Sequence, residues 1–137
     1  MSLVLDGSAV VAWCFEDKTT PAIDALMIRV AESGAVVPAI WRLEIVNALV
    51  VAERRKKILP EKSAQFIYDL QRLSILIDLD GMGHIFSEVL NYSRVYQRSS
   101  YDASYLELAK RLGLPFATKD EPLKKAAEEL GIPLFQP

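Results

Sequence analysis

Residues 99–123 read SSYDASYLELAKRLGLPFATKDEPL, and two helical patterns in this stretch flank one short apolar strand. After Asp102, apolar residues at Tyr105, Leu106, Leu108, Ala109 and Leu112 follow the three-and-four spacing of an amphipathic helix, which Gly113 stops and Pro115 keeps stopped. Asp102 therefore falls in the first helical turn, where free N–H groups and the positive end of the helix dipole favour an ionised carboxylate. Leu114 to Thr118 reads as a buried strand. Asp120 follows just past its carboxyl end, the place where open α/β sheets bind ligands. Either aspartate alone is a good helix cap; further acids at equivalent places along the chain are what make the pair a candidate site.

Working outward, Ser2 to Asp6 is a Leu/Val run too short for two helical turns, and it reads as a central strand, with Gly7-Ser8 as a tight turn before the apolar segment Ala9 to Phe15. Asp6 ends that strand and so shares a sheet end with Asp120. Thr20 as N-cap and Pro21 at the first helical position open a helix with Ile23, Leu26, Met27 and Val30 inward, and Gly34 closes it. Ala35 to Val37 is a second strand. From Pro38 a helix is expected to run to about Ile58 with Ile40, Leu43, Val46 and Val50 as its inner stripe. Glu44 lies inside that apolar stretch, with Asn47 and Ala48 one turn later on its face. An ionised Glu is almost never buried unless paired or metal-bound, which makes it the fourth acid.

Pro60-Glu61 starts a helix with Ala64, Phe66, Ile67 and Leu70 inward, followed by a strand over Ile75 to Leu79. A helix from about His84 to Gln97 is expected next. His84, the single histidine, reads as a surface or capping residue. The last helix carries Leu123, Ala126, Ala127 and Leu130, and Pro133 to Gln136 gives a short edge strand.

One hundred and thirty-seven residues point to one domain, residues 1–137. The lone Cys14, in the apolar run Val10 to Phe15, has no partner in the chain and reads as a buried inert thiol; with no basic leader and no uninterrupted apolar span, a reducing, cytoplasmic setting is the expectation. Net charge is −2, so no global basic field advertises nucleic acid. Setting aside Asp6, Glu44, Asp102 and Asp120 leaves 16 basic against 14 acidic residues, a mildly basic remainder. Its candidate nucleic-acid contacts are Arg42, Arg54, Arg55, Lys56 and Arg98, though the run from Arg54 to Lys57 also reads simply as a cationic last turn.

Five short apolar strands alternating with helices demand a mostly parallel sheet covered on both faces. The expected architecture is a three-layer α/β/α sandwich with strand order 3-2-1-4-5, which puts Asp6 at the point where strand order reverses. Two carboxylates roughly 5 Å apart repel by about 3 kcal/mol at an effective dielectric of 20, so a cluster of four implies a compensating cation. All-oxygen donors favour Mg²⁺, with Mn²⁺ able to substitute, and such an ion suits phosphodiester hydrolysis.

The blocks Leu-Asp-Gly-Ser-Ala, Pro-Ala-Ile-Trp-Arg-Leu-Glu-Ile-Val-Asn-Ala-Leu, Tyr-Asp-Ala-Ser-Tyr-Leu-Glu-Leu-Ala and Ala-Thr-Lys-Asp-Glu-Pro-Leu, in this order and spacing over essentially the whole chain, resemble a PIN-domain ribonuclease, most closely the VapC-type toxins. The resemblance implies that Asp6, Glu44, Asp102 and Asp120 form an acidic quartet that holds Mg²⁺ and activates water, with Ser8, Asn47 and Thr118 lining the site. It also implies an RNA substrate, a small cognate antitoxin and a homodimer. Two other classes compete. A phosphoacceptor receiver domain would use Asp78 or Asp80, but it needs a second acid beside Asp6, where Leu5 and Gly7 stand, and a lysine after the last strand, where only Gln136-Pro137 follows. A PIN-like module that grips RNA or protein without catalysis would not need an intact quartet.

Overall fold

The computed structural model describes residues 2–15 and 17–136; Met1, Glu16 and Pro137, which the expected domain includes, lie outside the described residues. The chain alternates between strand and helix as β1 (Leu3–Leu5), α1 (Gly7–Cys14), α2 (Pro21–Ser33), β2 (Ala35–Pro38), α3 (Trp41–Arg54), α4 (Pro60–Gln71), β3 (Ile75–Asp78), α5 (Leu90–Tyr96), α6 (Ser100–Leu112), β4 (Phe116–Ala117) and α7 (Glu121–Glu129). Between β3 and α5 come a 3₁₀ turn over Asp80–His84 and a π turn over Ile85–Val89.

Among the described residues the strands form one parallel sheet in the order β3-β2-β1-β4. β1 is central, as its composition predicts: Leu3, Val4 and Leu5 are all fully buried. Side chains alternate faces along a strand, so burial of all three means that both faces of the sheet are covered. The fifth strand expected over Pro133 to Gln136 is reduced to one parallel bridge, Phe116 with Leu134. Two hydrogen bonds, Phe116 N to Pro133 O and Phe135 N to Phe116 O, hold this segment on the β4 edge. The order is the expected one, with four strands in place of five.

Several local expectations are corrected. Gly7-Ser8 forms no tight turn: α1 begins at Gly7 itself, because Asp6 supplies the cap. The helix expected from Pro38 starts only at Trp41, since Pro38 pairs in β2 opposite Asp78. Its buried stripe is Trp41, Ile45, Leu49 and Ala52, while Leu43 and Val46 are exposed. In α4 the inner residues are Ser63, Phe66 and Leu70; Ala64 and Ile67 face outward. The helix expected over His84 to Gln97 becomes the 3₁₀ turn, the π turn and α5, and Val89 is the one buried residue among Ile85, Val89, Leu90 and Val95. Gly34 has a firm requirement: its φ is +77°, and a Cβ there would lie 2.8 Å from the Ser74 carbonyl oxygen.

Candidate metal centre

Each of the four acids is placed by a different element. Asp6 leaves β1 and caps α1, accepting from Ser8 N at 3.5 Å and Ser8 Oγ at 2.9 Å. Its backbone N–H donates to Ala117 O at 3.0 Å, which ties it to the end of β4. There Thr118 Oγ1 donates to Asp6 Oδ2 at 2.5 Å and itself accepts from Asp120 N at 3.1 Å. Asp120 caps α7 by accepting from Leu123 N at 3.0 Å. Asp102 occupies the first turn of α6, its N–H bonded to the Ser99 cap at 3.0 Å. Glu44 lies in the first turn of α3 and accepts from the Tyr105 hydroxyl on α6. A Cβ on Gly7 would sit 3.7 Å from the Glu44 Cβ, so α3 and the start of α1 are side by side at this point. Thus two strands and four helices converge, and the carboxylates gather at the carboxyl end of the sheet.

The electrostatics follow from that convergence. Burial chiefly pushes Asp6 above the ordinary carboxylate range, the Thr118 and Ser8 hydrogen bonds oppose it, and the charge of Asp120 adds to it. Burial likewise raises Glu44, assisted by the charges of Asp6 and Asp102 and opposed by the Tyr105 hydrogen bond. Asp102 is raised by burial and then by Asp6 and Asp120, against the neighbouring Arg98. Burial first, and Glu44 second, hold the Tyr105 phenol protonated far above its usual range, so it can only donate to Glu44. The acids feel one another although they make no direct bonds to one another.

Among the described residues no group of three His, Cys, Asp or Glu side chains has the geometry to hold one ion directly. The donor set nevertheless fits a hard divalent cation: it offers only oxygens, and the carboxyls of Asp6, Glu44 and Asp102 are raised first by burial and further by neighbouring acids, a repulsion that a cation would relieve. Mg²⁺ commonly keeps several waters and takes one or two carboxylates, so contact through water suits this spacing.

The polar and basic candidates separate. Ser8 and Thr118 bond to Asp6, whereas Asn47 is exposed on α3. Arg54 ends α3, ten residues beyond Glu44 and so roughly 15 Å along the helix, and Arg55 and Lys56 follow it. Arg42 borders an apolar hollow with Trp41, Ile45 and Ile67. Of the five basic candidates Arg98 alone joins the acids, with Nη1 3.7 Å from Asp120 Oδ1 and 4.0 Å from Asp102 Oδ2.

Two features escaped the sequence reading. Tyr105 was expected only as a core residue; it is fully buried and also carries the hydroxyl that orients Glu44. Its signal was its position three residues after Asp102, on the same helix face. The second is a buried ionic knot. Arg111 donates from Nε to Glu107 Oε2 at 2.7 Å and from Nη2 to Asp78 Oδ2 at 2.6 Å, and Glu107 is 4% exposed. The i, i+4 spacing of Glu107 and Arg111 was its trace in the sequence.

The family model described as PIN domain matches residues 3–129. Among solved structures, the fold is similar to that of PAE2754 from Pyrobaculum aerophilum, with a TM-score of 0.64 and 23% identity over 92% of this chain and 79% of that one. It is also similar to FitAcB from Neisseria gonorrhoeae, with a TM-score of 0.67 and 15% identity over 98% and 96% of the two chains. At these identities the likeness is one of fold. A search of curated proteins finds no significant match.

Proposed function

The chain belongs to the PIN domain family, whose members are generally nucleases that use divalent metal ions, and from that premise we propose that it is a metal-dependent endoribonuclease acting through Asp6, Glu44, Asp102 and Asp120. The observation that carries this reading is the gathering of four acids from four elements at one sheet end, three of them with carboxyls raised by burial and by one another. A Mg²⁺ ion held there, directly or through water, would make hydroxide available at neutral pH and neutralise the phosphodiester. The protein's part is positional. Thr118 and Ser8 fix Asp6 from both flanks, and Tyr105 fixes Glu44. The free N–H groups at the start of α6 sit beside Asp102 and favour negative charge at the same place.

The test is cleavage of RNA by purified protein. EDTA should abolish it, Mn²⁺ should restore it, and Ca²⁺, with longer bonds and looser geometry, should support binding better than turnover. Cleavage that persists unchanged in EDTA, once contaminating nucleases are excluded, refutes the mechanism. A binding module without catalysis would show RNA association and no metal-dependent cleavage. Sequencing RNA ends after induction in cells, against an Asp6→Asn control, would identify the substrate.

The same reading includes a role as the toxin of a toxin–antitoxin pair. What supports a protein partner is apolar surface next to the acids. Leu43, Met82, Ile85 and Tyr101 are exposed around a groove of about 410 Å³ between the starts of α3 and α6, and Phe86 beside it is 93% exposed. A small antitoxin seated there would reach Glu44 or Asp102 with an arginine fork, and a second copy of the chain would cover the remaining apolar surface. Light scattering that gives a strict monomer at high concentration would contradict the homodimer. Absence of both a co-purifying peptide and a small neighbouring gene would contradict the antitoxin.

A further inference from the structure

Arg98 is held in an unusual way. Its backbone is clamped from both sides by Ser93, whose Oγ donates to Arg98 O at 2.5 Å and whose carbonyl accepts from Arg98 N at 3.3 Å. The preceding Gln97 caps α5 in the left-handed region, with φ of 53°, and its carbonyl accepts from Arg98 Nε at 3.1 Å. The Nε edge of the guanidinium is therefore aimed, and what stays free to move is its outer end. There Nη1 stands 3.7 Å from Asp120 and 4.0 Å from Asp102, close enough for charge attraction and too far for a hydrogen bond. Arg111 shows the contrast within the same molecule, with contacts of 2.6 and 2.7 Å to two carboxylates. Arg111 is built in, and Arg98 stands by.

We propose that Arg98 is a tethered cation that balances Asp102 and Asp120 in the metal-free protein and competes with a divalent ion for that side of the site. This rests on the metal-nuclease reading above. A guanidinium cannot surrender its charge by losing a proton. When an ion arrives it must either move away or remain as a repelling neighbour, and both lower the ion's affinity. Its side chain is 28% exposed, which leaves it room to swing outward while the Ser93 clamp keeps its backbone in place. Arg98 therefore has opposite effects on the two states: it stabilises the empty site and weakens the filled one.

Those opposite signs make the test. Mn²⁺ binding is measured by calorimetry or by the spin resonance of free Mn²⁺, and melting is followed with and without the ion, in the wild type and in Arg98→Ala, Arg98→Gln and Arg98→Lys. Losing the charge in Ala and Gln should tighten the Mn²⁺ Kd by roughly three- to tenfold, a partly screened interaction at this separation. The same two variants should melt lower without metal and gain more on adding it. Lys, which keeps the charge, should stay near wild type. A purely structural role would lower both melting points and leave Kd unmoved. Wild-type Mn²⁺ binding with an unchanged or weaker Kd in Ala and Gln overturns the role of Arg98 alone. Absence of Mn²⁺ binding by the wild type overturns the metal-nuclease reading and the competition with it.

Discussion

Asp6 has two duties, and they can be separated chemically. As the cap of α1 it needs an acceptor oxygen for Ser8 N; as a member of the acidic group it needs its charge. Asp6→Asn keeps the first and removes the second, so it should melt close to wild type while Mg²⁺ binding and RNA cleavage collapse together. Asp6→Ala removes both and should cost about 1 kcal/mol more, the usual value of a lost cap. Asp102→Asn should behave as Asp6→Asn does, and since groups acting as a unit are not additive, the double variant should be scarcely worse than either. Near-wild-type cleavage by Asp102→Asn would refute the assignment. Tyr105→Phe tests the orienting hydroxyl. Without that donor Glu44 should rise further and ionise at higher pH, shifting the pH profile of Mn²⁺ binding upward, whereas a purely packing role would leave the profile in place. The acids were legible because an acid at the end of an apolar strand or inside an apolar helix stands out in one dimension. Tyr105 was not, because an aromatic in a helix stripe looks like core whether or not its oxygen has work to do.

At the scale of elements, what the sequence conveyed depended on how one-sided each helix is. α2 has a single apolar stripe, and Thr20, Pro21, Ile23, Leu26, Met27 and Val30 all take their expected parts. α3 is apolar on more than one side, so periodicity allowed two registers, and the buried one is Trp41-Ile45-Leu49 rather than the stripe through Leu43 and Val46. Of the surplus apolar residues, Leu43 joins the exposed groove beside the acids, and Val46 lines the separate hollow with Trp41 and Ile67. The last strand shrinks to a bridge because Pro133, having no N–H, offers the ladder a carbonyl only. Between elements, the Asp78–Arg111–Glu107 knot joins the end of β3 to α6. Removing its cation by Arg111→Ala would strand the buried Glu107, and urea denaturation should register a loss of about 3 kcal/mol, the scale for breaking a buried pair on one side. Arg111→Ala with Glu107→Gln should recover part of it.

For the whole molecule the raised carboxyls fix how stability varies with pH. Asp6, Glu44 and Asp102 are all pushed upward in the native state. Between the ordinary carboxylate values, roughly 4, and those raised values the native state holds more protons than the unfolded chain. The slope of unfolding free energy against pH is then negative, so their contribution falls as pH rises through the window and is least favourable when all three are ionised. In EDTA the melting temperature of the wild type should therefore drop more from about pH 5 to about pH 7 than that of Asp6→Asn. Mg²⁺ should raise it most at the upper end. A wild-type slope no steeper than the variant's would contradict this coupling.

The hydrogen bond from Thr118 to Asp6 spans 112 positions, and that span has a meaning in time as well as in space. β1 is made well before its partner β4 and before the hydroxyl that fixes Asp6. Contacts so distant along the chain close late and slowly. A nascent chain lacking Phe116–Thr118 has β1 paired on one side only and Asp6 without one of its two flanking hydroxyls. The proposed metal-holding arrangement is thus withheld from any partly made chain that still lacks Thr118.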